Sequence, residues 1–531
     1  MSSIIKQKVG NTVYLYESVS YRNEEGKPRN NRKPIGKIDS ATGLAVYKPE
    51  YLERMAQEGH PIEIIPAASF TVEDICRSCI RDYGAFYLFQ KLAERIGLLS
   101  VLKEALPDCF EEVFNLASYL ISTGDPFAYC EDWLASTEAF SVGPMTSQRI
   151  SELLTGITTE ERDRFYHLWC SLRSEIEYLA LDITSTSSYS ELVDSVEWGY
   201  NRDKEPLPQI NICLLMGYKS RYPIYQSVYS GSLKDVTTLQ TTMNTFQALA
   251  GEKRIIAVMD KGFFSTRNVN AMLSRQKKID FLIAIPFNSK FAKDLVKSES
   301  HSIDTLNNTI VFGGKESLRA VTKLCSWTDD HNLYAHVYYN ARKAQGIRED
   351  LYTHVTILKE LAQQRPEKYA KNLDYTKYLT FTGCSEKESG GYTVSIREEA
   401  VEAELETAGW LIVISNYVTD AKEAIKIYRE KDIVEKGFQR LKNSLDLGRI
   451  RVHSEISMQN KVFIGFISLI LLSGIHNVMM EKKLYEKMTM KKLILTLSKL
   501  KLQIVNSVRV LFPLTKDQRY IYEAFGIQEP M

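Results

Sequence analysis

Cysteine is scarce in this chain, eight in 531 residues, and scattered. The one close pair, Cys76-x2-Cys79, has neither a second pair nor a neighbouring histidine, so it reads as structural rather than zinc-binding. Scattered thiols suit a reducing compartment, and the expected location is the cytosol. An excess of charge is also missing: 67 Lys and Arg face 66 Asp and Glu. That balance excludes a generally basic protein, so any nucleic-acid binding must come from local patches. The opening residues, MSSIIKQKVG, carry no apolar stretch, and no secretory leader is expected. The longest apolar run, VFIGFISLILLSGI, holds 14 residues, too few for a bilayer, and predicts a buried helix and no membrane partner. What is present, 44% hydrophobic and 25% charged residues, is the composition of a soluble globular protein, and the length suggests three or four domains.

The densest chemical information lies in Tyr428–Lys442, YREKDIVEKGFQRLK, which reads as one helix. Tyr428, Lys431, Glu435 and Lys442 stand at offsets of 0, 3, 7 and 14 residues. They therefore share a stripe roughly 60° wide. An apolar stripe of Ile427, Val434, Phe438, Leu441 and Leu445 runs beside it. Such a helix buries one edge and presents a phenol, a carboxylate and two ammonium groups to one point, which would suit a phosphate and its metal ions. Taken alone, the pattern is more often a solvated face with i,i+4 pairs such as Lys431–Glu435.

Two further carboxylates change that weighting. Asp182 ends the apolar run EYLALD, and Asp260 ends RIIAVMD. Both runs are short and β-rich, as buried strands are. A carboxylate where a core strand ends suits a site at the carboxyl edge of an α/β sheet. Two strand-end aspartates and a helix glutamate are the hard oxygen donors that two Mg2+ ions require. Two such ions about 4 Å apart can activate an attacking oxygen and stabilise a leaving one.

With these motifs in this order, residues 176–478 resemble bacterial insertion-sequence transposases of the DDE class, in the branch marked by a Y-x2-R-x3-E-x6-K signature. Tyr428, Lys431, Glu435 and Lys442 keep all three spacings, with Lys for Arg at 431. Lys keeps the charge and loses the bidentate fork. LDITSTSS resembles the region of the first catalytic aspartate, and MDKGFFS that of the second. Gly199–Leu215 resembles a G-x-S-x-D-x-R-P stretch, from which Asn201 and Glu205 depart. The resemblance implies that Asp182, Asp260 and Glu435 are catalytic and hold two Mg2+ ions, with Mn2+ able to substitute. It implies that Tyr428, Lys431 and Lys442 hold phosphates near the scissile bond. The reaction implied is cut-and-paste DNA transposition: metal-dependent nicking at an element's ends, then strand transfer into target DNA. The implied partners are double-stranded DNA, as terminal inverted repeats and as target, and a second copy of the chain on the paired ends. The place implied is the bacterial cytosol, beside the nucleoid.

The expected fold is α/β, an RNase H-like core interrupted by a mostly β insertion domain, with an N-terminal β/helical arm and a C-terminal helical tail. Residues 1–66 form a β-rich module whose basic turn, NEEGKPRNNRKP, places Arg29, Arg32 and Lys33 against a DNA backbone or simply in solvent. Residues 67–174 are a helical packing or end-binding domain. Residues 175–287 and 409–478 form the core, in the order three strands, helix, strand, helix, strand. Residues 288–408 are too many for a structureless loop and form the β-rich insertion. Residues 479–531 are a basic helical tail. Two rival readings share parts of this pattern: an RNase H-like nuclease without strand transfer, and a decayed transposase that only binds DNA. A carbohydrate hydrolase fits poorly, because the lysines beside Glu435 would lower the pKa such an acid needs raised.

Overall fold

A computed structural model of the chain describes residues 2–9, 12–22, 28–38, 45–57, 74, 78–173, 177–250, 255–274, 279–312, 316–383, 392–445, 447–506 and 508–530. Cys76, of the Cys-x2-Cys pair, lies outside them. The chain divides into two compact units, Met1–Cys79 with Gln503–Val510, and Ile80–Leu502 with Leu511–Met531.

The first unit is an antiparallel meander of β1 (Ser2–Val9), β2 (Thr12–Arg22), β3 (Pro28–Ile38) and β4 (Ala45–Tyr47), followed by α1 (Pro49–Gln57). Leu15, Ile35 and Tyr51 form its small core. Arg29, Arg32 and Lys33 were expected in a turn. They lie instead on β3, opposite Tyr21, Ser18 and Glu17 of β2. The long β2 carries its ladder through them, and β4 pairs only with Gly36–Ile38. Among the described residues, the rest of β3 has β2 as its one strand partner.

In the second unit, the helices α2 (Gly84–Arg95), α3 (Leu98–Ala105), α4 (Phe110–Thr123), α5 (Cys130–Ser136), α6 (Ser147–Gly156) and α7 (Thr159–Ser171) come first. Then follow β5 (Glu177–Ser188), β6 (Gln209–Gly217), β7 (Pro223–Ser230), α8 (Asp235–Ala250), β8 (Ile255–Met259), α9 (Thr266–Leu273) and β9 (Ile279–Ala284), in the order the sequence predicts. Residues 290–415 contribute α10 (Lys290–Glu299), β10 (Thr309–Phe312), β11 (Glu316–Thr328), β12 (His331–Tyr339), α11 (Ala341–Gln364), β13 (Leu379–Thr382), β14 (Thr393–Ile396), α12 (Glu398–Leu405) and β15 (Trp410–Ser415). The chain goes on through α13 (Ala421–Arg429), α14 (Asp432–Ser444), β16 (Arg449–Ile450), α15 (Glu455–Glu481), α16 (Met490–Ser498) and α17 (Lys516–Phe525).

One sheet runs β10-β11-β12-β15-β9-β8-β5-β6-β7, with β16 beside the far end of β5. Strands β5, β8 and β9 are parallel. Every residue of β6 and of β8 is buried, which is why both read as continuous apolar runs. The protein is thus mixed α/β, with one large sheet and helices packed on it.

Three expectations need correction here. The insertion is not a separate, mostly β domain. Its strands β10–β12 extend the main sheet, because β12 pairs along the edge of β15 left open by β9. Beyond them α11 runs 24 residues, and Leu351, Leu358, Leu379 and Val394 make a small cluster with the β13–β14 hairpin. The helical region is not separate either: Phe86, Leu120 and Trp169 share one hydrophobic core with Ile212 of the sheet and Phe463 of α15. The basic tail, finally, is not wholly helical. Lys483 turns left-handed with φ of 54°, Thr489 caps α16 anew, and Lys501–Val505 is a strand. Leu493, Leu497 and Tyr522 pack into the main core.

The apolar run was expected to be a buried helix, and it lies in α15. By length and composition α15 could cross a membrane, but 83% of its most apolar window is buried inside the protein.

Candidate active site

Asp182 does not end its strand. It is the sixth residue of β5, which continues through Thr184, Ser185, Thr186, Ser187 and Ser188, all buried. The ladder with β6 runs on to Ser187, and three of the serine hydroxyls bond to segments far off in the chain: Arg202 N donates to Ser185 Oγ at 2.8 Å, Asn201 Nδ2 to Ser187 Oγ at 3.0 Å, and Ser188 Oγ donates to Ile450 O at 3.0 Å. What ends at this level is β8. The parallel register pairs Leu181 with Met259, so Asp182 and Asp260 follow side by side at the carboxyl edge of β8.

Tyr428–Lys442 is not one helix. Glu430 and Lys431 break it into α13 and α14, with a tight backbone bond from Lys431 N to Tyr428 O at 3.3 Å. The cause is packing. Ile425, Ile427 and Tyr428 bury with Val258, Leu282 and Val413 in one cluster, whereas Val434, Phe438, Leu441 and Leu445 bury in the main core. The apolar stripe read as continuous is therefore divided between two sets of partners. On α14, Gly437 lets the helix approach β6: a Cβ there would lie 3.1 Å from Leu214 Cδ2. Leu214 is the cross-strand neighbour of Asp182, so Gly437 seats the helix of Glu435 against the strand pair that carries the aspartate.

Around Asp260 the contacts are explicit. Its Oδ1 accepts from Tyr428 Oη and from Lys261 N, each at 2.8 Å. Lys431 Nζ lies 3.7 Å from Asp260 Oδ2 and 3.3 Å from Glu435 Oε1. The Tyr428 phenol is held well above its ordinary pKa by burial and by the charges of Asp260, Asp182 and Glu435, which all bear on it. Burial pushes the Asp182 carboxyl up to about 6, with Asp260 adding to the rise and the Ile183 N–H, Arg202 and Lys431 opposing it. Burial acts on Asp260 too, but Lys431, the Tyr428 hydroxyl and the Lys261 N–H outweigh it and hold that carboxyl below its usual range. Neighbouring carboxylates with opposed shifts are a mark of functional sites.

Asp182, Asp260, Tyr428, Lys431 and Glu435 are thus brought together. Lys442 is drawn aside: its Nζ pairs with Asp203 Oδ2 at 2.6 Å. Arg29, Arg32 and Lys33 belong to the other unit. Sequence reasoning gave no role to Arg202, Asp203 or Asp235. Arg202 pairs with Asp235 at 2.6 Å, and a Cβ on Gly262 would lie 3.0 Å from Asp235 Oδ2. The signal for Arg202 and Asp203 was the stretch from Gly199, where the two departures also have partners: Asn201 with Ser187, and Glu205 with Arg449 at 2.8 Å.

Among the described residues no three His, Cys, Asp or Glu side chains gather closely enough to hold a metal ion. The ammonium of Lys431 stands between Asp260 and Glu435 and offsets their charge. The donor chemistry, three carboxylates with no thiolate or imidazole, fits a hard divalent ion.

The raised Asp182 carboxyl has a consequence for stability. Its folded pKa exceeds the ordinary 3.8, so its contribution is full below about pH 4 and is lost as pH rises through about 6. In chelator, Asp182→Asn should remove a decline of at most about 3 kcal/mol across that window. Melting of the two proteins from pH 4 to 7 measures it. Parallel curves would exclude a strained Asp182.

No curated protein matches the chain. Among solved structures, a cryo-EM structure of a piggyBac transposase synaptic complex with hairpin DNA aligns over 84% of this chain and 74% of that one, at 12% identity and a TM-score of 0.35. The family described as the transposase DDE domain matches residues 173–471, from just before β5 into α15, with Asp182, Asp260 and Glu435 all inside the match. That is more than half of the 531 residues, and the chain belongs to the transposase DDE domain family.

Proposed function

We propose that this transposase performs metal-dependent cut-and-paste transposition of a bacterial insertion sequence, in the branch with the Y-x2-R-x3-E-x6-K signature and on an RNase H-like core. The supporting observation is the register that sets Asp182 beside Asp260, with Tyr428 and Lys431 joining Asp260 to the helix of Glu435. The order β7-β6-β5-β8-β9 supports the RNase H-like reading. Asp182, Asp260 and Glu435 would hold Mg2+ or Mn2+. When bound, such ions supply Lewis-acid stabilisation of charge on the attacking and leaving oxygens of an in-line displacement.

The chain's own groups do the rest. The Tyr428 hydroxyl fixes the Asp260 carboxylate in one orientation. The depressed pKa of Asp260 keeps it ionised. Lys431 brings a positive charge to the place where charge develops on a phosphoryl group. Lys442 is held by Asp203 on a helix face shared with Glu435, within reach of a neighbouring phosphate. A homodimer on paired inverted repeats and a second attack by the freed 3′-hydroxyl complete the proposal.

The test uses a duplex carrying the inverted repeats that flank the gene, with a supercoiled target and Mg2+. Nicked ends joined to target are expected. Nicks without joined product would favour a nuclease, and binding without nicks a decayed transposase.

The basic strand makes a separate prediction. Alternation on β3 sends Arg29 and Lys33 to one face and Arg32 to the other. A duplex on one face meets two cations at most. Replacing all three by Ala should lower the slope of log affinity against log salt by about two. An unchanged slope would remove β3 from the DNA-binding surface.

A further inference from the structure

α14 has a second cationic flank. From Glu435, Lys436 and Arg440 lie about 100° and 140° round the helix, across its exposed crest from the side of Lys431 and Lys442. Arg440 is half-buried, and no carboxylate pairs with it among the described residues. Tyr485 lies next to it, and Tyr485 Oη is 2.7 Å from His476 Nδ1 of α15. Arg221 stands on the turn between β6 and β7 in the left-handed region, with φ of 56°. It too is half-buried and lacks a carboxylate partner among the described residues. Asn477 Nδ2 donates to Ser220 O at 2.7 Å and ties this turn to α15.

The charges of Arg440, Arg221 and Lys436 all bear on His476, and burial with these charges brings its pKa down to about 4. Lys436 has its salt bridge on its own helix, to Asp432 at 2.6 Å. A half-buried guanidinium that meets no carboxylate among the described residues, as at Arg440, is costly, and a bound anion would offset it. The planar guanidinium fork suits a phosphate.

We propose that Arg221, Arg440 and Lys436 hold a backbone phosphate of double-stranded DNA, separate from the scissile phosphate. This rests on the reading of the protein as a DNA-cutting transposase. The occupant is a duplex rather than free phosphate because the two cationic flanks are one helix apart. A helix is about 10–12 Å across, and the major groove is about 12 Å wide. DNA lying over α14 offers phosphates to both flanks at once.

The experiment measures binding of the full chain to a fluorescent inverted-repeat duplex, in chelator, over a salt series. Arg221→Gln with Arg440→Gln should weaken binding roughly tenfold at low salt and reduce the salt slope by one to two. Arg440→Lys, which keeps the charge, should retain most of the slope, and no variant should melt below the parent. A parent that binds no duplex would overturn the transposase reading together with this one. A double variant with parental affinity and slope would overturn this inference alone. So would an Arg440→Lys variant no better than Arg440→Gln, or competition by inorganic phosphate at constant ionic strength.

Discussion

Asp182→Asn, Asp260→Asn and Glu435→Gln are each expected to reduce nicking of an inverted-repeat duplex by about a thousandfold or more. Each change keeps the side chain's size and removes one negative charge. The Tyr428 hydroxyl can still donate to an asparagine oxygen at 260, so orientation survives while the anion is lost. Duplex binding should persist in all three. Stability separates them further. Asp182→Asn removes a carboxylate whose ionisation the fold resists, so it should melt higher above pH 6. Asp260→Asn removes a carboxylate that the fold favours as an anion, so it should melt lower. Activity lost while stability rises is the signature of a residue kept for function against its structural cost. Glu435→Gln nicking at the parental rate in Mg2+ would sink the assignment.

Asn460→Leu should cost about 3–5 kcal/mol, the largest stability loss expected from a single change here. Asn460 is fully buried on α15. Its Nδ2 donates to Leu154 O and Ile157 O, each at 2.8 Å, and its Oδ1 accepts from Arg162 Nη1 at 2.6 Å. Leucine fills the space but leaves two carbonyls and part of a guanidinium without partners in the core. Gln459 Oε1 still accepts from Arg162 at 2.9 Å, which keeps the loss from growing further. Asn460→Asp retains the arginine contact but turns a carboxylate oxygen toward the two carbonyls, so it too should melt well below the parent. Parental melting of either variant would mean that this buried network contributes nothing.

Much of this protein is local in origin. Continuous apolar runs placed β6 and β8, because strands covered on both faces need no polar alternation. The spacing of Tyr428, Lys431 and Glu435 brought those side chains toward one point even though the helix breaks between them, since the break adds a tight turn and does not reverse the chain. The 14-residue apolar run predicted a buried helix, and it lies in α15, with 83% of its most apolar window buried inside the protein.

Other features depended on partners far away in the chain, which no local pattern encodes. β5 runs past Asp182 because β6 pairs with it as far as Ser187, and its Ser187 and Ser188 hydroxyls bond to Asn201 and Ile450. Strands β10–β12 join the main sheet because β15, some 70 residues later, has an open edge. Lys442 is drawn to Asp203, 239 residues earlier, and away from the group it was expected to join. By itself, then, the sequence determined which residue types could do phosphoryl chemistry, and on which strands and helix they lie. Only the tertiary structure decided where those strands end, where the helix breaks and which charge each cation meets, because hydrogen-bond satisfaction and burial are settled between segments rather than within them.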